Sequence, residues 1–164
     1  MTDLSPAQAA DRITKLLVTP ESRTLDFKRI SDKHKKIVET VCAFANSEGG
    51  LLALGVGDAK DLKAGDKPQS RLWGVEENPE GFDDLRRLLL QRFTPALPRL
   101  HWLRMPCTLR DGKPGHVVLL RVEKSNQVHS VVGNGTWTRM DASNRELSAA
   151  EIADLTYQRG VKSA

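Results

Sequence analysis

Hydrophobic positions along the chain alternate between helical and strand spacing. Apolar residues recur every three or four positions near the N-terminus, where Ser5 and Pro6 supply an N-cap and a proline in the first turn. Apolar and polar residues then alternate over residues 24–28, which predicts a short, half-exposed strand. Residues 51–56 form an almost unbroken apolar run, which predicts a strand covered on both faces.

The remaining hydrophobic pattern predicts four helices and two hairpins. Predicted helices cover residues 6–17, about 33–46, 79 to just before Pro95, and 148–157. Predicted hairpins join residues 99–109 to 116–122, and divide residues 131–140 at Gly133-Asn134-Gly135. We therefore predict the α/β (α+β) class, as a single domain over residues 1–164 with a mixed sheet flanked by helices.

Composition narrows the class of protein. The chain has 164 residues, of which 39% are hydrophobic and 28% charged, a balance typical of one globular domain. No apolar run approaches the ~18 residues of a membrane span. The two cysteines are too few for a disulfide framework or a structural zinc site, so we expect a cytoplasmic protein. The net charge of +4 slightly favours an anionic partner.

Three acidic residues lie on or beside the first two predicted strands. Asp26 projects from the strand face opposite Phe27, Asp58 follows the next strand, and Glu21 lies in the preceding loop. Carboxylates from separate segments form the oxygen-rich site that Mg²⁺ or Mn²⁺ prefers. Lys28 shares the strand face of Asp26, where it would orient a water molecule or neutralise a scissile phosphate. One hypothesis is therefore metal-dependent phosphoryl chemistry.

The same residues also have a purely structural interpretation. In this alternative Glu21 caps a turn, Asp26 pairs with Lys28 on a solvated strand face, and Asp58 caps a loop. An acid, a spacer and a second acid followed by lysine is a short pattern that occurs without catalysis. Spacing alone leaves both interpretations open.

A longer pattern surrounds these acids. It consists of Glu21-Ser22 with Asp26-Phe27-Lys28, then Ala43-Phe44-Ala45-Asn46 with Gly49-Gly50, then Gly55-Val56-Gly57-Asp58, and finally Trp137-Thr138-Arg139. Together these segments resemble the AlbA-like domain of the Schlafen family, over residues 21–145. The resemblance implies a nucleic-acid-binding domain. Family members with ribonuclease activity use three carboxylates and a divalent metal to cut tRNA and ribosomal RNA.

The resemblance assigns roles to individual positions. The metal-binding and catalytic acids fall on Glu21, Asp26 and Asp58, with Lys28 assisting at the scissile phosphate. Asp26 stands where the family more often has glutamate, so its side chain is one methylene shorter. The animal proteins carry two such lobes in one body, so a single copy implies a homodimer.

Basic residues near these motifs are candidates for binding the nucleic-acid backbone. They are Arg29, Lys33, Lys35, Lys36 and Arg139. The leading hypothesis is a Mg²⁺- or Mn²⁺-dependent endoribonuclease that acts on structured RNA such as tRNA. The alternatives are a non-catalytic module that binds DNA or RNA, and a module that binds a nucleotide such as ATP.

Overall fold

The computed structural model describes residues 1–163 of the chain, with the side chains of residues 1–160, and its centre is a mixed sheet. The nine strands are β1 Thr2–Asp3, β2 Leu25–Lys28, β3 Gly50–Leu54, β4 Phe93–Thr94, β5 His101–Thr108, β6 Pro114–Val122, β7 Ser130–Val131, β8 Trp137–Met140 and β9 Ser143–Glu146. Five of them form the central sheet in the order β1-β5-β6-β3-β2. The two outer pairs are parallel and the two inner pairs are antiparallel.

The described part of the chain also forms four helices. They are α1 Pro6–Leu17, α2 His34–Ala45, α3 Pro79–Gln91 and α4 Ala149–Ser163. The predicted N-cap of α1 is confirmed, because Ser5 and Gln8 form a reciprocal capping box. Short 3₁₀ turns at Ala59–Asp61, Pro68–Arg71 and Val75–Glu77 occupy the loop between β3 and α3.

Alternate residues of the central strands enter two separate cores. Phe44 of α2 and Leu85 of α3 pack with Leu52 of β3 on one face of the sheet. Ile13 of α1 packs with Ala53 of β3 on the other face. Both faces of β3 are therefore buried, as the apolar run predicts, and the predicted α+β class with a mixed sheet is confirmed.

Two strand predictions need correction. Leu25, Asp26 and Phe27 of β2 are all buried, so the expected half-exposed strand is wrong. The expected hairpin across residues 131–140 is reduced to one antiparallel bridge between Val131 and Gly135, because β7 pairs with β4 while β8 pairs with β9. Asp141, with φ of 52°, occupies the left-handed region and allows the two-residue turn between β8 and β9.

The helices also bear on the membrane prediction. Within the described residues, none of them is both long enough and apolar enough to cross a bilayer. The cytoplasmic location inferred from the cysteine content stays a prediction.

Candidate functional site

Asp26 is the buried centre of the candidate site. Its side chain is 3% exposed, and two cations lie against it from different elements. Lys28 Nζ lies 2.8 Å from Oδ2, and Arg139 Nη2 lies 3.1 Å from Oδ1. The Lys28 contact is ionic without hydrogen-bond alignment, so Oδ2 has no hydrogen-bond partner among the described residues. A carboxylate this deeply buried is stabilised only by such paired charge.

The guanidinium of Arg139, on β8, is buried and hydrogen-bonded to acceptors inside the protein. Nε and Nη2 donate to the carbonyl of Ser22, Nη2 also donates to the carbonyl of Leu25, and Nη1 donates to Asn144 Oδ1 at 2.8 Å. The side chain is 1% exposed. The sequence assigns Arg139 to phosphate binding, but its donors face internal acceptors, so we leave it out of the candidate phosphate-binding surface.

Glu21 lies at the free edge of β2. Its Oε2 accepts a hydrogen bond from the backbone N–H of Phe27 at 3.0 Å, which satisfies a donor that no neighbouring strand reaches. Burial and a hydrogen bond with Asp26 raise the pKa of Glu21 from 4.5 to about 7. Two of the three expected acids therefore lie together.

Asp58 has a different environment. It is exposed beyond the end of β3, and its Oδ1 accepts the backbone N–H of Lys60 at 2.9 Å as the N-cap of a 3₁₀ turn. The buried guanidinium of Arg71 lies within electrostatic range of both Asp58 and Glu21. Burial lowers the pKa of Arg71, and these two acids oppose that shift.

The three acids expected to form a metal centre do not come together among the described side chains. Among the side chains that the structure describes, no three acids, histidines or cysteines are grouped so that they could hold one metal ion. Glu21 and Asp26 converge, but the Lys28 ammonium already lies against Oδ2 of Asp26, and Asp58 does not join them. We therefore derive no catalytic step through a metal ion.

The basic residues expected to bind phosphate divide into two groups. Lys33, Lys35 and Lys36 are exposed around the start of α2, and only Lys36 is near an acid, with Nζ 3.7 Å from Glu39 Oε2. Arg29 instead forms a bidentate pair with Glu77, at 3.1 and 2.7 Å. The lysines are therefore available to a ligand, whereas Arg29 is partly neutralised.

A groove of about 390 Å³ lies beside α2. Lys35 and Arg92 line it, together with the turn at residues 131–134. Neither cation has an ion pair within the described residues. Arg92 lies one residue beyond α3, and no motif in the sequence identifies it.

Comparison with known proteins shows which family the chain belongs to. The family model described as Schlafen, AlbA_2 matches residues 21–148. The chain belongs to the Schlafen AlbA_2 family. This confirms the resemblance seen in the sequence, and membership implies a nucleic-acid-related function.

The solved structures support the fold of this Schlafen AlbA_2 chain. The crystal structure of the DIP2311 protein from Corynebacterium diphtheriae matches with a TM-score of 0.56 and 18% identity, over 93% of this chain. The match covers 32% of that protein, so this chain spans about a third of its length. No curated protein matches this chain.

Several residues of the Schlafen AlbA_2 motif hold the fold together. The buried Asn46 donates to the carbonyls of His129 and Trp137 and accepts the His129 N–H, each at 2.8 Å. A Cβ added at Gly50 would lie 2.6 Å from the Phe44 ring. The sequence pattern marked these positions, but their structural role depends on partners distant in the chain.

Proposed function

We propose that this chain binds RNA through the basic surface at the start of α2, with structured RNA such as tRNA as the first candidate ligand. One observation carries the proposal: Lys33, Lys35 and Arg92 are exposed and have no ion pair within the described residues. Cations without counter-charges attract a polyanion, and binding releases the counterions condensed on its phosphates. Family membership supports the same class of ligand.

The test is a salt titration of tRNA binding to the wild type and to the Lys35→Gln/Arg92→Gln variant. The logarithm of affinity falls with the logarithm of salt concentration, and the slope should decrease by about 1 for each phosphate contact removed. Arg12→Gln is the matched control, because Arg12 is exposed on α1 at the opposite face of the sheet. Equal slopes for all three proteins would contradict the proposal. A duplex DNA arm measures the preference for RNA.

A second candidate function is cleavage of the bound RNA by a Mg²⁺- or Mn²⁺-dependent endoribonuclease. It is favoured by the contact between Glu21 and Asp26, with the Lys28 ammonium 2.8 Å from Asp26. Lys28 is 22% exposed, so it would reach an incoming phosphate while still paired with Asp26. Asp58, the third acid of the expected set, stands apart from this pair on the loop after β3.

Cleavage is tested by incubating tRNA with the protein, with and without Mn²⁺, and analysing the products on a denaturing gel. We expect metal-dependent products from the wild type and none from Glu21→Gln, whose amide still accepts the Phe27 N–H. Asp26→Asn is the second variant, with circular dichroism as a control for folding. Intact tRNA in every lane, with binding retained, would leave binding as the function.

The homodimer inferred from the two-lobed relatives is also a proposal. Light scattering should give about twice the 18.2 kDa of one chain. A mass of one chain at the concentrations used for binding would refute it.

A further inference from the structure

A second cleft, of about 220 Å³, lies beyond the end of β3. The indole of Trp73 lines it. Arg29 Cζ lies 3.4 Å from the ring centroid and Arg110 Cζ lies 3.8 Å from it. Two planar groups at these distances cannot share one face of the ring, so the two guanidiniums sandwich the indole. Cation–π contacts of this kind hold arginine side chains in a fixed orientation.

Two of the arginines in the cleft have guanidinium N–H groups that no acceptor pairs with among the described residues. Arg110 is exposed, and no acceptor pairs with its guanidinium within the described residues. Arg71 is 3% exposed; its Nε donates to the carbonyl of Gly57 and its Nη1 donates to that of Leu17. Arg71 Nη2 is buried without a hydrogen-bond partner, which is a costly arrangement for a charged group.

Acidic residues share this cleft and limit what can enter. Asp58, Asp61 and Asp66 are exposed on the loop, whereas Arg71 is buried. Asp58 and Asp66 accept backbone N–H groups of their own loop, from Lys60 and Lys63 respectively. These carboxylates repel a long polyanion that runs across the loop. Arg29, Arg71 and Arg110 line the same cleft, where a single compact anion would meet fewer of these carboxylates than a continuous strand would.

We propose that this cleft binds a phosphate monoester. Arginine is the side chain best suited to phosphate, because its planar fork donates two parallel hydrogen bonds to the oxygens. The cleft has room for one phosphate and its adjoining sugar, and no room for a continuous strand. The phosphate belongs either to the end of an RNA chain or to a free mononucleotide; the first source, but not the second, rests on the proposed RNA binding.

The site itself is tested with two small probes, inorganic phosphate and adenosine monophosphate. Calorimetric titration and tryptophan fluorescence report binding to the wild type, Arg110→Gln and the control Arg12→Gln. We expect the Arg110→Gln variant to bind both probes about tenfold more weakly, since a charge-assisted hydrogen bond is lost. Arg110 is exposed, so this variant should fold. Absence of binding to the wild type, or equal binding to all three proteins, would overturn the proposal.

The source of the phosphate is tested with one RNA oligonucleotide in 5′-phosphorylated and 5′-hydroxyl forms. A tenfold preference for the phosphorylated form that disappears in Arg110→Gln supports a site for RNA ends. Binding of adenosine monophosphate without that preference supports a mononucleotide site. Loss of all RNA binding in Lys35→Gln/Arg92→Gln, with phosphate affinity unchanged, separates this cleft from the basic groove.

Discussion

At the scale of single residues, the buried charge of Asp26 determines the character of the site. Lys28 and Arg139 contact different oxygens of its carboxylate, so removing Arg139 leaves the partly exposed Lys28 as the remaining cation against the buried charge among the described residues. We expect Arg139→Gln to lower the free energy of unfolding by about 3 kcal/mol, because breaking a buried ion pair is costly. Urea denaturation measures the loss.

A double-mutant cycle separates the ion pair from the other bonds of Arg139. Asp26→Asn combined with Arg139→Gln should lose less stability than the sum of the two single variants. Strict additivity would contradict the pairing. Asn144→Ala is a comparison that removes one bond of Arg139, together with the Asn144 bond to Thr40, without touching the charge pair.

The raised pKa of Glu21 gives the stability a pH dependence of known sign. In the unfolded chain the carboxyl titrates near 4.5, and in the folded protein burial and Asp26 raise the pKa to about 7. The fold therefore favours the protonated acid, so this contribution is complete below pH 4.5 and is lost as the pH rises through 7.

Glu21→Gln removes this titration and keeps the acceptor for Phe27. The stability of the wild type relative to this variant should fall between pH 4.5 and 7.5, measured by urea denaturation with EDTA present. A difference that is the same at both pH values would refute the assignment.

Sequence reasoning at this scale identified which acids matter but could not position all of them. The pattern predicts that Glu21, Asp26 and Asp58 converge, and in the structure Glu21, from the loop before β2, lies beside Asp26. Asp58 follows a glycine-containing turn whose direction no spacing rule gives, and it caps its own loop. Arg71 carries no motif, and its importance depends on its burial in the folded chain.

At the scale of elements, the local pattern predicted the helices well and the pairing of short strands poorly. Alternation over residues 24–28 predicts a half-exposed strand, but Arg139 from β8 covers the polar face of β2. That contact spans 113 residues, so no local pattern contains it. The hairpin of β8 and β9 depends on the positive φ of Asp141, and aspartate does not mark such a turn as clearly as glycine does.

The junction between α2 and β3 depends on a close approach that only glycine allows. A Cβ at Gly50 would lie 2.6 Å from the ring of Phe44, which is fully buried. Gly50→Ala should lower stability by about 2 kcal/mol, since extra volume in a packed core forces strain. Thermal and urea unfolding both report this change.

Gly160→Ala is the control for this substitution. It lies within α4, with nothing within 4 Å of an added Cβ, so alanine should stabilise the helix slightly. Equal effects at Gly50 and Gly160 would show that the approach of Phe44 is not limiting.

At the scale of the whole molecule, the sheet separates two cores. Helix α1, which covers one side, lies outside residues 21–148, which match the family, while the strands beneath it lie inside them. The other side carries α2, the basic groove and the segment from residue 125 to residue 147. Asn46, which belongs to the family motif, joins this segment to the end of α2 through its hydrogen bonds with His129. This residue of the family motif therefore connects distant parts of the chain.

This attachment predicts where the molecule opens first when it is weakened. Asn46→Ala leaves the His129 N–H and the Trp137 carbonyl without a partner, and leaves the His129 carbonyl only the weak thiol donor of Cys42, which together costs about 3 kcal/mol. Hydrogen exchange should accelerate most in residues 125–147 and much less in β5 and β6, whose ladder does not involve Asn46. The exposed Asn126, replaced by alanine, is the control. A uniform acceleration along the chain would mean that Asn46 stabilises only the fold as a whole, and that the groove segment has no separate attachment to lose.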